Sequence, residues 1–348
     1  MELTTVWFIL IAVLWTGYFV LDGFDFGVGV LLPVLGRNDV ERRVLLNTIG
    51  PVWDGNEVWV LVAGGATFTA FPEWYATLFS GFYLALLLIL VALIVRGVAF
   101  EYRGKVDDPT WRKRWDWAIV FGSAVPAVLW GVAFGNIVRG VPIRPAGAGL
   151  HLEYVGNFFT LLNPFALLGG LTTLGLFTTH AAVFLALKTT GDIRVRANAL
   201  AGKLGLATAV LAVAFLLWAQ AFSGHRWLTL PMALVTAVLF VGALIANRMG
   251  REGWAFIGTA ATIAGAVSTL FVGLFPNVMP SSLRSVWNLT VTNASSTEYT
   301  LKVMTVVAVI FTPIVLIYQG WTYYVFRRRI GVEHISPTTE QADLSVSR

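Results

Sequence analysis

Val6 to Leu35 reads VWFILIAVLWTGYFVLDGFDFGVGVLLPVL, a run long enough to cross hydrocarbon that nevertheless carries two aspartates, Asp22 and Asp25. A helix rising about 1.5 Å per residue needs roughly 20 apolar residues to span a bilayer, so length and composition here predict a membrane helix. No basic stretch precedes the run, and no small-residue cleavage signal interrupts it, so it reads as a retained span. A second stretch repeats the anomaly: Trp53-Asp54-Gly55-Asn56-Glu57-Val58-Trp59 places two more acids inside apolar sequence.

Working outward, further apolar runs follow at Leu45–Phe71, Ala76–Phe100, Trp117–Ile137, Leu161–Leu187, Leu200–Phe222, Leu228–Ala246, Ala255–Phe275 and Leu301–Phe326. Together with the first they predict an all-α, polytopic transmembrane bundle of about nine spans. Residues 1–330 form its single domain, and 331–348 are expected to be a polar, disordered cytoplasmic tail. Composition agrees: 57% of the 348 residues are hydrophobic and 12% charged, with a mean hydropathy of +0.75.

Lysine and arginine alternate between loops. Arg37, Arg42 and Arg43, then Arg103 to Arg114, Lys188 to Lys203, Arg248 and Arg251, and Arg327 to Arg329 share one side, while the opposite loops carry few. The basic side is read as cytoplasmic, which puts the N-terminus outside and the C-terminus inside. The net charge of +5 is thus a topology signal, and nucleic acid is set aside as a partner. Absence of cysteine removes disulfides, thiolate metal sites and covalent haem attachment within the chain.

Asp22 and Asp25 are three apart, as are Asp54 and Glu57, so each pair is expected on one helical face, shielded from lipid through the small pair Gly23 and Gly27. An ionised carboxylate at this depth costs at least a few kcal/mol unless it meets water or takes up a proton. With no basic residue in the same two spans, protonation is expected over ion pairing, and Arg96 in the third span is expected to snorkel to the cytoplasmic edge. The bland alternative, that one such acid caps a broken helix, fits any single residue better than all four. Asp116, between Trp115 and Trp117, reads either as a helix cap or as a proton collector at the entrance. His180 is read as a packed core histidine in preference to a haem ligand, and no metal-ligand or haem-ligand set is found.

Several segments, taken in order, carry a resemblance: Asp22-Gly-Phe-Asp-Phe-Gly-Val-Gly, Gly36-Arg-Asn-Asp-Val-Glu-Arg-Arg, Trp53-Asp-Gly-Asn-Glu-Val-Trp, Gly131-Val-Ala-Phe-Gly-Asn and Phe275-Pro-Asn-Val-Met-Pro-Ser-Ser. The chain closely resembles subunit II of the cytochrome bd-type quinol oxidases along nearly its whole length. The resemblance implies a haem-free subunit in the bacterial cytoplasmic membrane, paired with a subunit I that carries b- and d-type haems and oxidises quinol while reducing oxygen to water, with small accessory transmembrane subunits as further partners. It also implies that Asp22, Asp25 and Asp54 line a proton path, that Trp53 lies beside a structural quinone, and that Trp59 lies near an oxygen entrance. Glu57 and Asp116 join that path on the charge argument alone. One departure is the short outer connection Ser223–Thr229, which puts partner contacts made there by a longer loop in doubt. The rivals are a proton-coupled secondary transporter, disfavoured because no internal repeat is visible, and a purely structural partner subunit.

Overall fold

The computed structural model describes residues 2–147 and 151–335. Eleven α-helices are found there: α1 (Leu3–Leu35), α2 (Asp39–Ile49), α3 (Trp53–Ala70), α4 (Pro72–Gly81), α5 (Tyr83–Tyr102), α6 (Pro109–Arg139), α7 (Pro164–Lys188), α8 (Gly191–Ala219), α9 (Arg226–Arg248), α10 (Glu252–Leu274) and α11 (Glu298–Val325). Eight of them, α1 and α5 to α11, are long and apolar enough to cross a membrane. With 18 residues, α3 has the length of a ninth, and its acids lower its hydropathy.

The expected second span breaks in two. Its first part is the amphipathic helix α2, started by Asn38, whose side chain accepts from the Glu41 amide at 2.9 Å, and ended before Pro51, which has no N–H to continue the ladder. The expected third span likewise divides at Phe82 into α4 and α5. Asp108 caps α6 through the Thr110 and Trp111 amides, so Asp116 is not the cap of that helix. Proline at the first helical position after Asp108 and Asn163 fits the unsatisfied N-terminal N–H groups of α6 and α7.

Apolar side chains gain little by leaving lipid, so helix association relies on close packing of small residues. Gly23 and Gly27 of α1 face the Phe177 ring and the Phe177 carbonyl and Ala181 of α7, Gly131 of α6 faces Gly169 of α7, and Gly258 of α10 faces Ala243 of α9. This places α1 at the centre, enclosed by α3, α6, α7 and α10. By contrast, α11 stands at the margin with Leu301 as its buried residue. Two small antiparallel pairs, β1 (Ile143–Pro145) with β2 (Leu152–Tyr154) and β3 (Asn277–Met279) with β4 (Leu289–Thr290), lie between helices at one end and are joined by a bridge from Val141 to Ser281.

At the other end the chain after α11 folds back on the α7–α8 turn. The Ile330 amide donates to the Lys188 carbonyl, the Thr190 amide donates to the Ile330 carbonyl, and Arg329 pairs with Glu252. Thr190 Oγ1 also donates to Glu333 Oε1 at 3.2 Å; residues 336–348 lie outside the described residues.

Candidate functional site

Where α1, α3 and α5 meet, the acids Asp22 and Asp25 and the guanidinium of Arg96 are all fully buried. Gly122 on α6 lets the backbone of α5 come close at Arg96. Its Nη2 donates to Asp22 Oδ1 at 2.7 Å and to Glu57 Oε2 at 2.8 Å, and its guanidinium carbon sits 4.3 Å over the centre of the Phe26 ring. The expectation that Arg96 snorkels, and that the acids have no buried basic partner, is therefore corrected. A guanidinium is weakly hydrated and offers a planar fork of donors, so bridging two carboxylates over an aromatic face costs less than stranding any of the three charges.

Asp25, one turn further along α1, is held from a different direction. Asn56 Nδ2 donates to Asp25 Oδ2 at 2.8 Å, and Asn56 Oδ1 accepts from Tyr323 Oη at 2.8 Å and from Gln319 Nε2 at 3.2 Å. Trp59 Nε1 in turn donates to Gln319 Oε1 at 2.9 Å. The site thus draws on α1, α3, α5 and α11.

Charge does not balance within this cluster. Asp22 and Glu57 share the one guanidinium, Asp25 is a third carboxylate beside them, and Asp22 Oδ2, Asp25 Oδ1, Arg96 Nε and Arg96 Nη1 are buried with no hydrogen-bond partner among the described residues. The two carboxylate oxygens can be satisfied by water or by a bound proton, and the two guanidinium nitrogens by water.

Asp54 does not join it. Asn56 takes the inward-facing position at the start of α3, so Asp54 is exposed on the surface of the chain and accepts from the neighbouring Gly55 amide at 2.7 Å, while Glu57 is intermediate with 24% of its side chain exposed. Asp54 and Glu57, three residues and so about 60° apart around α3, keep neighbouring positions on the helix, but the face toward α1 falls on the Glu57 side and leaves Asp54 exposed at its edge.

Asp116 is also separate. It lies in an ion-pair network with Arg103 at 2.6 Å and Arg42 at 2.8 Å, and Arg103 continues to Asp39 at 2.8 Å. Burial alone weakens the charged form of Arg103, and the bonds to Asp116 and Asp39 outweigh it, raising its proton affinity. The network ties α2 to the α5–α6 turn.

His180 is fully buried, with Nδ1 at 2.7 Å from Thr259 Oγ1, Nε2 at 3.2 Å from the Val20 carbonyl oxygen, and its ring stacked 4.6 Å from Phe256. Both ring nitrogens are engaged, so the residue does not fit an axial haem ligand, and no group of three His, Cys, Asp or Glu residues able to hold a metal is found among the described residues. The Trp53 ring packs on Phe100, 4.9 Å between centroids, and over Gly97.

Arg96 was visible in the sequence, six residues before α5 ends at Tyr102; its inward direction was not. Asn56, Gln319 and Tyr323 were overlooked because uncharged polar residues in apolar runs are common and cost less than charges. A polar pair four residues apart in the last span, facing an asparagine inside an acidic segment, was the available signal.

Residues 3–326 match the family described as cytochrome bd terminal oxidase subunit II. The chain is 47% identical over 342 residues to the cytochrome bd ubiquinol oxidase subunit 2 of Bacillus subtilis (strain 168), covering 97% of this chain and 99% of that one. It is 40% identical over 367 residues to the cytochrome bd-I ubiquinol oxidase subunit 2 of Escherichia coli (strain K12), with 96% and 97% covered. Its fold resembles a chain in the structure of bd oxidase from Geobacillus thermodenitrificans, with a TM-score of 0.75 at 17% identity over 94% of this chain and 99% of that one. These matches leave the transporter reading without support, and with a buried acidic cluster on a near-complete match, the chain belongs to the cytochrome bd terminal oxidase subunit II family.

Proposed function

We propose that this chain acts within the bacterial cytoplasmic membrane as the haem-free partner of subunit I, which it stabilises, and that it carries protons from the cytoplasmic side toward the site where oxygen is reduced. The observation that carries the reading is the sharing of one guanidinium, Arg96, by the carboxylates of Asp22 and Glu57, with the third carboxylate, Asp25, buried alongside on α1. If all were ionised, the cluster would hold two uncompensated negative charges in a low-dielectric interior, so binding a proton is favourable there.

The residues divide the work. Arg96 holds Asp22 and Glu57 in place, leaving Asp25, which has an amide donor on one oxygen only, as the group that takes up and releases a proton. Asp54, exposed on the chain surface, is in position to exchange protons with water or with groups of subunit I. Haems of the b and d types belong in this reading to subunit I, since the histidine buried here is fully engaged; quinol and oxygen are substrates of the whole complex.

In the purified complex, Asp25→Asn is expected to slow oxygen consumption by roughly 10²-fold, the contribution of one positioned proton-transfer group, with haem content unchanged. Asp54→Asn is expected to slow it less. Normal turnover of an assembled Asp25→Asn complex ends the proton-path reading and leaves a structural subunit.

A further inference from the structure

The two amides between Trp59 and Asp25 form a hydrogen-bond chain whose direction is fixed at both ends. An indole N–H can only donate, so Trp59 Nε1 at 2.9 Å identifies the Gln319 atom facing it as Oε1. Gln319 therefore presents Nε2 to Asn56, 3.2 Å from Oδ1, and Asn56 presents Nδ2 to Asp25, 2.8 Å from Oδ2. Tyr323 donates to the same Asn56 Oδ1 at 2.8 Å. A reversed Asn56 would point its oxygen at a carboxylate and its NH₂ at the NH₂ of Gln319.

Helix geometry makes the arrangement possible. Asn56 and Trp59 are three apart on α3, and Gln319 and Tyr323 are four apart on α11, so each pair occupies one face. Gln319 and Tyr323 tie the C-terminal half of α11 to α3, on a helix whose buried residue, Leu301, lies at the far end.

The consequence falls on a single atom. Asp25 Oδ2 already accepts an N–H and has no room for a proton along that direction, whereas Asp25 Oδ1 is buried without a partner among the described residues. We propose that Asn56, oriented by Trp59, Gln319 and Tyr323, is a positioning residue that reserves Oδ2 of Asp25 as a permanent acceptor and confines protonation of Asp25 to Oδ1. Protonation then forms one O–H bond at Oδ1 and leaves the Asn56 bond intact. Because two of the three orienting groups, Gln319 and Tyr323, lie on α11, the seating of that helix sets the geometry of Asp25. This inference rests on the reading of Asp25 as a proton-accepting group. The charged and titratable groups around it are Asp22 on α1, Glu57 on α3, Arg96 on α5 and Tyr323 on α11.

The test is infrared difference spectroscopy of the complete purified oxidase, with the carboxylic-acid C=O band of Asp25 identified by its loss in Asp25→Asn. In the unmodified protein that C=O is Oδ2, which accepts from Asn56. In Asn56→Leu the band is expected to move to higher wavenumber, because the carbonyl loses its donor. Gln319→Met and Trp59→Phe, which keep most of the side-chain volume, are expected to move it the same way by less, through weaker polarisation along the chain. An unmoved band in an assembled Asn56→Leu complex overturns the proposal. If that variant fails to assemble, unmoved bands in both milder variants overturn it. Absence of any Asp25-dependent acid band at every pH the complex tolerates overturns it as well. Normal turnover of Asp25→Asn would remove the proton-path role while a shifted band in Asn56→Leu still upheld the positioning, so the two failures are distinct.

Discussion

Arg96 Nη2 lies 2.7 Å from Asp22 Oδ1, with both side chains wholly buried, across 74 residues of sequence and two different helices. Removing one member of such a pair leaves an uncompensated charge among apolar helices, whereas removing all members together leaves none. Arg96→Met is therefore expected to destabilise the bundle by about 3–5 kcal/mol, read as a lower thermal midpoint in circular dichroism. The triple variant Arg96→Met, Asp22→Asn, Glu57→Gln should recover most of that loss. Equal losses in the single and triple variants would show that the charges contribute nothing beyond their packing.

Packing of α1 against α7 depends on the absence of a side chain at Gly27. A Cβ there meets the Phe177 carbonyl and Ala181, both part of a buried helix. Gly27→Val is expected to cost about 1–3 kcal/mol through forced separation of the two helices. Gly242 on α9 has open space around its Cβ position, and Gly242→Ala is expected to be neutral or stabilising by up to ~1 kcal/mol. Thermal midpoints of the two variants check the contrast; comparable destabilisation by both would contradict it.

Glu41 links α2 to α8 through Arg196 at 2.8 Å. Burial pushes its carboxyl up, but the Arg37 amide and the Arg196 guanidinium outweigh burial and hold it below the usual glutamate range. A lowered folded value means that this contribution is complete above the ordinary glutamate value and fades as pH falls through the folded one. Protection of the α2 amides, taken relative to the intrinsic exchange rate at each pH, should therefore fall in acid, and Glu41→Gln should show lower protection already at neutral pH with less acid dependence. An unchanged acid profile in Glu41→Gln would locate the dependence elsewhere.

His180 joins α7 to α10 and α1 through Thr259 and the Val20 carbonyl. His180→Phe keeps a ring against Phe256 and loses both bonds, so about 1–3 kcal/mol of stability should go while the visible spectrum of the complex stays the same. Loss of a haem band would reinstate this histidine as an iron ligand.

Much of the architecture was legible without coordinates because the bilayer imposes a length and an apolar composition on every span, and charge asymmetry gives direction. The acids Asp22 and Asp25 stood out for the same reason: carboxylates are conspicuous where each costs energy. The break at Gly50-Pro51 is marked in the sequence by its proline and the polar residues after it, whereas the break at Phe82 is not, since a run of apolar residues looks continuous whether or not the backbone turns within it. The cluster's membership was only half readable. Sequence spacing grouped Asp54 with Glu57, yet the structure gives the inward place to Asn56.

By itself, then, the sequence determined that the chain is a bundle of membrane-spanning helices with negative side chains inside it, because hydrophobic length and the penalty on buried charge are local properties. Only the tertiary structure decided that Arg96 turns inward to meet Asp22 and Glu57, that Asp54 faces outward, and that Gln319 and Tyr323 on the last helix reach Asn56 and so Asp25. Rotation of each helix about its own axis is set by the small residues and neighbours it packs against, and those contacts join positions tens to hundreds of residues apart.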